Sequence, residues 1–419
     1  MTPPIEDRAR RLSARTRLAA ALGGITSATS RLVGRGGGSV IGARVTLALA
    51  PDALDELAAG RRIAVVSGTN GKSTTTALLA AACAAGGSTV ASNVEGANLR
   101  SGIVALLSSR RARNTELAVL EIDELALPSL LPSFESPVVV LLNLSRDQLD
   151  RFGEVRTVAA EWRRALGAQP ATVVANADDP LVVYGAGTAS DVTFVGVGLR
   201  WRQDAAACPN CGRPIRNDAH DWWCACGLRR PTAYELEGDE LVLGDQRITL
   251  RPGVPGHHNV GNAALATVAA TKLGVPLEIA VEALGTVTSV AGRYQTITVG
   301  TTRARLLLAK NPAGWGELLT MIEQDERPLV LAINARIADG RDPSWLWDVE
   351  FERLRGRRVV AAGERAADLA VRLRYAEVEC DVWDGSILEG LERFDAPEVD
   401  IVANYTVFAD IVRAIGSTA

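Results

Sequence analysis

The segment Ser67-Gly68-Thr69-Asn70-Gly71-Lys72-Ser73-Thr74 stands between an apolar run and an Ala/Leu-rich helical pattern. Glycines let a backbone wrap closely around phosphate oxygens, and the amides that open a helix point at the anion. A lysine here reaches terminal phosphates, and a following serine hydroxyl binds magnesium. Gly68, Thr69, Asn70, Gly71, Lys72, Ser73 and Thr74 are therefore the expected triphosphate cradle, with Val66 where the usual loop has its first glycine. A second constellation is acidic. Glu121, Asp123 and Glu124 follow one apolar run, and Asn143 to Asp150 (Asn-Leu-Ser-Arg-Asp-Gln-Leu-Asp) follow the next. A magnesium–nucleotide site needs hard oxygens beside the loop hydroxyl, and adjacent parallel strands would bring them there. Without such a loop, acids after strands serve mainly as helix caps.

The third constellation is Cys208-Pro-Asn-Cys211, twelve residues, then Cys224-Ala-Cys226. Paired cysteines on two knuckles match a tetrahedral zinc site, and Gly212 and Gly227 permit the tight turns. No catalytic base accompanies the four thiols, so the zinc reads as structural. Cys83 and Cys380 are isolated and fit core packing. Histidine occurs only at 220, 257 and 258, and lysine only at 72, 272 and 310. In a chain that otherwise writes its cations as arginine, a lysine marks a place for a compact ammonium. His257 and His258 are adjacent and project in different directions, which suits positioning rather than metal binding. Lys310 falls at the end of an apolar run, and Lys272 reads as surface.

These groups need a scaffold. Near-continuous apolar runs at Ile63–Ser67, Leu117–Asp123, Val138–Leu144 and Thr172–Asn176 alternate with helical patterns. That grammar predicts a parallel sheet buried on both faces, with ligands at its C-terminal edge. The Cys- and Trp-rich stretch 199–231 interrupts it. Hairpin-like strands over Tyr234–Leu250 and a helix from about Asn259 to Leu273 follow. The grammar restarts at Arg305–Ala309, Leu329–Asn334, Val359–Ala362 and Ile401–Ala403. The expected fold class is α/β: a phosphate-loop parallel-sheet central domain with an inserted four-cysteine zinc ribbon, then a smaller Rossmann-like domain. Expected boundaries are a short N-terminal segment over 1–50, a central domain over 51–300 with the ribbon at about 200–232, and a C-terminal domain over 301–419.

The 419 residues carry 45 basic and 49 acidic side chains, a net charge of −4, with 47% hydrophobic residues. An acidic chain argues against a general nucleic-acid binder. Leu18–Ser30 is too short to cross a bilayer, and no cleavage-site pattern follows the early basic run. The expectation is a cytoplasmic chain, at most peripherally in contact with the membrane. The guanine-reading Asn-Lys-x-Asp is absent, which argues against a GTPase.

In order along the chain, G-T-N-G-K-S-T, L-E-I-D-E, N-L-S-R-D-Q-L-D-R-F-G, N-A-D-D-P, G-H-H-N-V-G-N-A and G-R-Y resemble the motif series of the Mur ligases. L-A-K-N-P-A-G-W and A-D-G-R-D-P-S-W-L-W-D-V-E-F-E, with the four-cysteine insertion, resemble the MurT synthetase subunits of lipid II isoglutaminyl synthase within that family. The resemblance runs from about residue 45 to the end. It implies an ATP-dependent carbon–nitrogen ligase that activates the α-carboxyl of D-isoglutamate in the lipid II stem peptide as an acyl phosphate, for attack by ammonia. ATP, Mg²⁺ and Zn²⁺ are the implied cofactors. A separate GatD-like glutaminase is the implied partner in a heterodimer, because no cysteine here has a histidine base. Carried residue by residue, Gly68–Thr74 hold the phosphates, Ser73 and Glu121 hold magnesium, Cys208, Cys211, Cys224 and Cys226 hold zinc, Asn259 with Asn262 contacts adenine, and Arg293 lies near the phosphates. Asp348, or else Asp339, supports catalysis across the partner interface. Gln148 replaces a family histidine, which removes an imidazole ligand. The lysine that some Mur ligases carbamylate has no counterpart. The runner-up is a Mur or folylpolyglutamate-type ligase that adds an amino acid. A zinc-ribbon nucleic-acid module is a further alternative.

Overall fold

The structure, a computed structural model, describes residues 12–32, 39–93, 97–146, 155–198, 203–218, 221–290, 293–323, 325–391, 394 and 396–416. Asp147 to Asp150, with Gln148, and His220 lie outside the described residues. The chain divides into two units. The first holds residues up to Leu144 together with Val155–Gly253 and His258–Thr288, and the second is chiefly Ser289 onward.

The first unit is organised by strands β1 (Arg62–Ser67), β2 (Val90–Ser92), β3 (Leu117–Glu121), β4 (Val138–Leu141), β5 (Thr172–Asn176) and β6 (Asp191–Gly196). Beyond them lie the hairpin strands β9 (Tyr234–Glu237), β10 (Glu240–Leu243) and β11 (Gln246–Thr249), after the two ribbon strands β7 (Arg216–Asn217) and β8 (Trp222–Trp223). The nine-stranded order is β11-β10-β9-β6-β5-β4-β1-β3-β2, with every pair from β9 to β2 parallel. Both faces of the sheet are covered, which is why its strands read as unbroken apolar runs. Ile63 and Val65 enter one core with Leu120, Leu141 and Trp162. Ala64 and Val66 enter the other with Leu78, Cys83 and Ala266. Burial pushes the Cys83 thiol up to about 11, as suits an inert core residue.

The strand order reverses around β1. Its neighbours are β3 on one side and β4 on the other, in register Val66↔Glu121 and Ser67↔Leu141. Loops leaving a strand at such a reversal diverge and open a crevice. The crevice here is lined by the three chemistry-bearing loops expected from the sequence.

Helices α1 (Ala14–Leu32), α2 (Ser39–Leu49) and α3 (Ala53–Ala58) belong to the first unit, and Ala19, Ala43, Ala50 and Leu54 join the core of Ile63 and Val65.

The second unit has six strands: β12 (Tyr294–Val299), β13 (Thr302–Leu308), β14 (Leu329–Ala332), β15 (Val359–Ala362), β16 (Cys380–Val382) and β17 (Glu398–Ala403). Their order is β12-β13-β17-β14-β15-β16, parallel except for the β12–β13 hairpin. The long stretch of the second unit begins at Ser289, ahead of that hairpin. Gly300, with φ +58°, forms its turn, and all of β12 pairs with β13. Arg305 bridges β13 to the fully buried Asp400 of β17 through two charge-assisted bonds of 2.6 Å.

Candidate active site

The phosphate loop follows from β1. Gly68 has φ +143° and Gly71 φ +87°, conformations that penalise any side chain. Gly71 caps helix α4 (Lys72–Ala85), whose first amides are the anion-facing end of the element. A Cβ on Gly71 would lie 2.5 Å from Asn262 Oδ1, so the loop and the 257–272 helix are packed to contact at this point. Gly71→Ala combines that clash with a strained φ. We expect a loss of about 1–3 kcal/mol in unfolding free energy and weaker nucleotide binding, read as thermal unfolding with and without ATP.

Asn143 braces the loop from beyond β4. Its side chain accepts the Asn70 N–H at 2.9 Å and donates to the Asn70 carbonyl at 3.0 Å, while its own carbonyl accepts the Thr69 N–H at 2.8 Å. Lys72 is 3% exposed. Its ammonium donates to the carbonyls of Gly68 and Thr69 and forms a 2.8 Å ion pair with Glu124, itself 13% exposed. The sequence marked Glu124 as acidic and near but did not pair it with the lysine.

Ser73 and Glu121 meet as the magnesium reading requires. The Ser73 hydroxyl donates to Glu121 Oε2 at 2.7 Å, and both residues are buried. Asn93 fixes Glu121 from behind, accepting its N–H at 2.7 Å and donating to its carbonyl at 2.9 Å. A hydroxyl and a buried carboxylate side by side form a hard-oxygen donor pair suited to magnesium. Glycine-rich backbone, a helix N-terminus and an ammonium are likewise the donor set for a triphosphate. Asp123 turns elsewhere, capping Leu125 N–H at 3.0 Å.

Asn259 and Asn262 are both buried on one helix and hydrogen-bonded to each other at 3.2 Å. The exposed His257 lies outside this pair. The N-A-D-D-P acids are structural. Asp178 accepts the N–H groups of Val197 and Gly198 at 2.7 Å each and pairs with Arg230 at 2.8 Å. Asp179 caps the 180–186 helix and accepts Leu144 N–H at 2.8 Å, and burial pushes its carboxyl up to about 6. Arg293, Lys310 and the two aspartates belong to the second unit.

There, Asp339 is engaged within its own unit. It is 5% exposed, and its carboxylate accepts the backbone N–H and hydroxyl of Thr406 and the Arg336 N–H. A carboxylate so engaged braces the C-terminal ends of the sheet. Asp342 caps Ser344. Asp348 ends the Ser344–Asp348 helical turn with its side chain 41% exposed, 3.6 Å from the Arg146 guanidinium. Next to it, Trp347 (54% exposed) meets Tyr375 (72% exposed) edge to face at 5.3 Å, with Arg372 stacked over Trp347.

The cysteine ribbon has the geometry of a zinc site. The four Sγ atoms of Cys208, Cys211, Cys224 and Cys226 lie within 4.8 Å of one another, with 3.6 Å between Cys208 and Cys226 and 3.5 Å between Cys211 and Cys224. A tetrahedron with Zn–S of about 2.3 Å has edges of about 3.8 Å. Each knuckle turns at a glycine in the left-handed region: Gly212 (φ +77°) donates to Cys208 O, and Gly227 (φ +94°) to Cys224 O. The buried Trp222 ties the ribbon to the sheet through an Nε1–H bond to Ala177 O at 3.0 Å. Structural zinc in a small module contributes on the order of 10 kcal/mol of folding energy. Cys224→Ser should therefore lose bound zinc, measured by metal analysis, and unfold the ribbon, measured by Trp222 fluorescence.

A family model described as Mur ligase middle domain matches residues 66–270, and one described as MurT ligase C-terminal matches residues 308–408. The lipid II isoglutaminyl synthase (glutamine-hydrolyzing) subunit MurT of Staphylococcus aureus is 30% identical over 379 residues, covering 84% of this chain and 86% of that one. Its namesake from Streptococcus pneumoniae is 29% identical over 420 residues, covering 91% and 93%. Among solved structures, a pseudomurein peptide ligase type C from Methanothermus fervidus superposes with TM-score 0.64 at 19% identity, over 85% of this chain and 79% of its own. MurF from Acinetobacter baumannii follows at TM-score 0.62 and 17% identity, over 88% and 80%. These two likenesses concern the fold.

Proposed function

The chain belongs to the MurT family of Mur ligases and is an ATP-dependent ligase, and from that premise we propose that it amidates the α-carboxyl of D-isoglutamate in the stem peptide of lipid II with ammonia from a glutaminase partner. The observation that carries the reading is the join of a Mur-type phosphate loop, with its Ser73–Glu121 pair, to a MurT-type C-terminal unit.

In this reading the loop amides, Lys72 and the α4 N-terminus bind the triphosphate, and Asn259 and Asn262 flank the adenine. Ser73 and Glu121 would hold magnesium, which would neutralise phosphate charge. An oxygen of the substrate carboxylate attacks the γ-phosphorus, the bond to the bridging oxygen breaks, and ADP leaves. Lys72 offsets charge on the transferring group. The ammonia lone pair then adds to the acyl carbon, the C–O bond to phosphate breaks, and inorganic phosphate leaves as the nitrogen sheds a proton. Ammonia is almost wholly ammonium at neutral pH, which favours direct delivery. The half-exposed Asp348, beside the exposed Trp347–Tyr375 pair, supports a partner contact on the second unit: exposed aromatic anchors are what such interfaces use. The reading places the chain on the cytoplasmic side, where ATP is available.

The test uses the chain co-purified with its glutaminase, supplied with glutamine, ATP, Mg²⁺ and lipid II. We expect ADP release matched to a carboxylate-to-amide mass change in the stem peptide. Addition of an amino acid by the chain alone would overturn the reading in favour of a folylpolyglutamate-type ligase.

A further inference from the structure

Helix α1 has two unlike faces. Thr16, Ala19 and Gly23 are buried against α2, where small residues bring the backbones into touch. A Cβ on Gly42 would fall 2.1 Å from Gly23 O, and one on Gly23 would fall 2.3 Å from Thr46 Oγ1. At 100° per residue the opposite face carries Leu18, Leu22 and Ile25, spaced i, i+4, i+7 in one stripe. Leu18 and Ile25 are each 63% exposed, Leu22 41%. The helix pair is held by its small residues, so the large ones take no part in its packing. Exposed Arg15 and Arg17 project on either side of the stripe, and Arg44 on α2 is exposed as well.

Charge distinguishes the occupants such a face could take. Residues 1–50 contain eight arginines against Glu6 and Asp7, a net +6, while the whole chain is −4, leaving −10 for the remainder. A second copy would set Arg15, Arg17 and Arg44 against their own counterparts. An anionic lipid surface is complementary to both features, since apolar side chains enter the headgroup–acyl boundary while flanking arginines meet phosphates. No helix among the described residues is long and apolar enough to cross a membrane, so the contact lies along the surface.

We propose that the outward face of α1 docks the protein on an anionic membrane surface through Leu18, Leu22 and Ile25, flanked by Arg15 and Arg17. The inference stands on the helix pair alone. It deepens the reading above in one respect, because a lipid-linked substrate would be met at the same surface.

The test is flotation of the full chain with vesicles of phosphatidylglycerol and phosphatidylcholine, against phosphatidylcholine alone, at low and high salt and without ATP or substrate. We expect binding to the anionic vesicles that high salt weakens. The exposed triple variant Leu18→Gln/Leu22→Gln/Ile25→Gln should bind at least about tenfold less while retaining its thermal unfolding midpoint and its turnover of a water-soluble stem-peptide substrate. Arg17→Gln/Arg44→Gln should lose most of the salt-sensitive part. Failure of the wild-type chain to float, or equal flotation of the triple variant, overturns the proposal. So does a triple variant that changes only the oligomeric state, which would make the face a contact between copies. Because no ligation enters the flotation measurement, failure of the ligase reading leaves this result independent.

Discussion

Lys72→Ala is expected to lower ATP-dependent ligation by at least about 10²–10³-fold, the usual consequence of removing one preorganised charge from a transferring group. The structure adds a complication that the experiment must separate. Lys72 and Glu124 form a nearly dry ion pair of 2.8 Å. Removing the lysine leaves the carboxylate unpartnered by its ammonium, and breaking one side of a buried pair costs about 3–5 kcal/mol. A bare loss of activity would therefore mix unfolding with lost catalysis. The double variant Lys72→Ala/Glu124→Gln resolves the two. It removes the stranded charge, so its unfolding free energy should recover most of the deficit, while ligation stays lost. Activity that recovered along with stability would show that the lysine acts only as a structural counter-ion.

Asp348→Asn is expected to have the second large effect, and a selective one. In the proposed complex the aspartate serves the glutaminase, so glutamine-driven amidation should fall by about 10³–10⁴-fold, the loss seen when a histidine base is deprived of its orienting carboxylate. Amidation driven by a high concentration of ammonium salt should continue at the wild-type rate, because the ATP-side groups Lys72, Ser73 and Glu121 all belong to the other unit. Thermal unfolding should be unchanged, since the Asp348 side chain is 41% exposed and its ion pair with Arg146 is a long 3.6 Å. Equal loss with both nitrogen sources would remove Asp348 from the glutaminase and make it a ligase or folding residue. Asp339→Asn offers a contrast: it disturbs the bonds to Thr406 and Arg336 and should lower stability whichever nitrogen source is used.

What could be read from the sequence was set by chemistry that is local. The phosphate loop, the acid after β3 and the two cysteine knuckles each declare themselves within a few residues, and the structure brings Ser73 to Glu121 and closes the four sulfurs. The central strands were legible because burial on both faces erases alternation. Strands β2, β12 and β16 were not, because each is a sheet edge where exposed and buried residues mix, and β6 was not, because β9 pairs with it only at Val195 and Gly196 and leaves its first residues partly exposed. The pairing of Lys72 with Glu124, 52 residues later, depends on the order of strands around β1, which no local pattern encodes. Asp339 and Asp348 look alike as letters. Only the bonds to Thr406 show that the first is engaged inside the unit.

The central claim is that ATP turns the peptide acid into an acyl phosphate before nitrogen arrives. It is tested most directly by giving the complex lipid II with heavy oxygen in the target carboxyl group, together with glutamine and ATP, and following the label. The account predicts that each amide formed sends one heavy oxygen into inorganic phosphate, with none in ADP. Amide formation with unlabelled phosphate would contradict it.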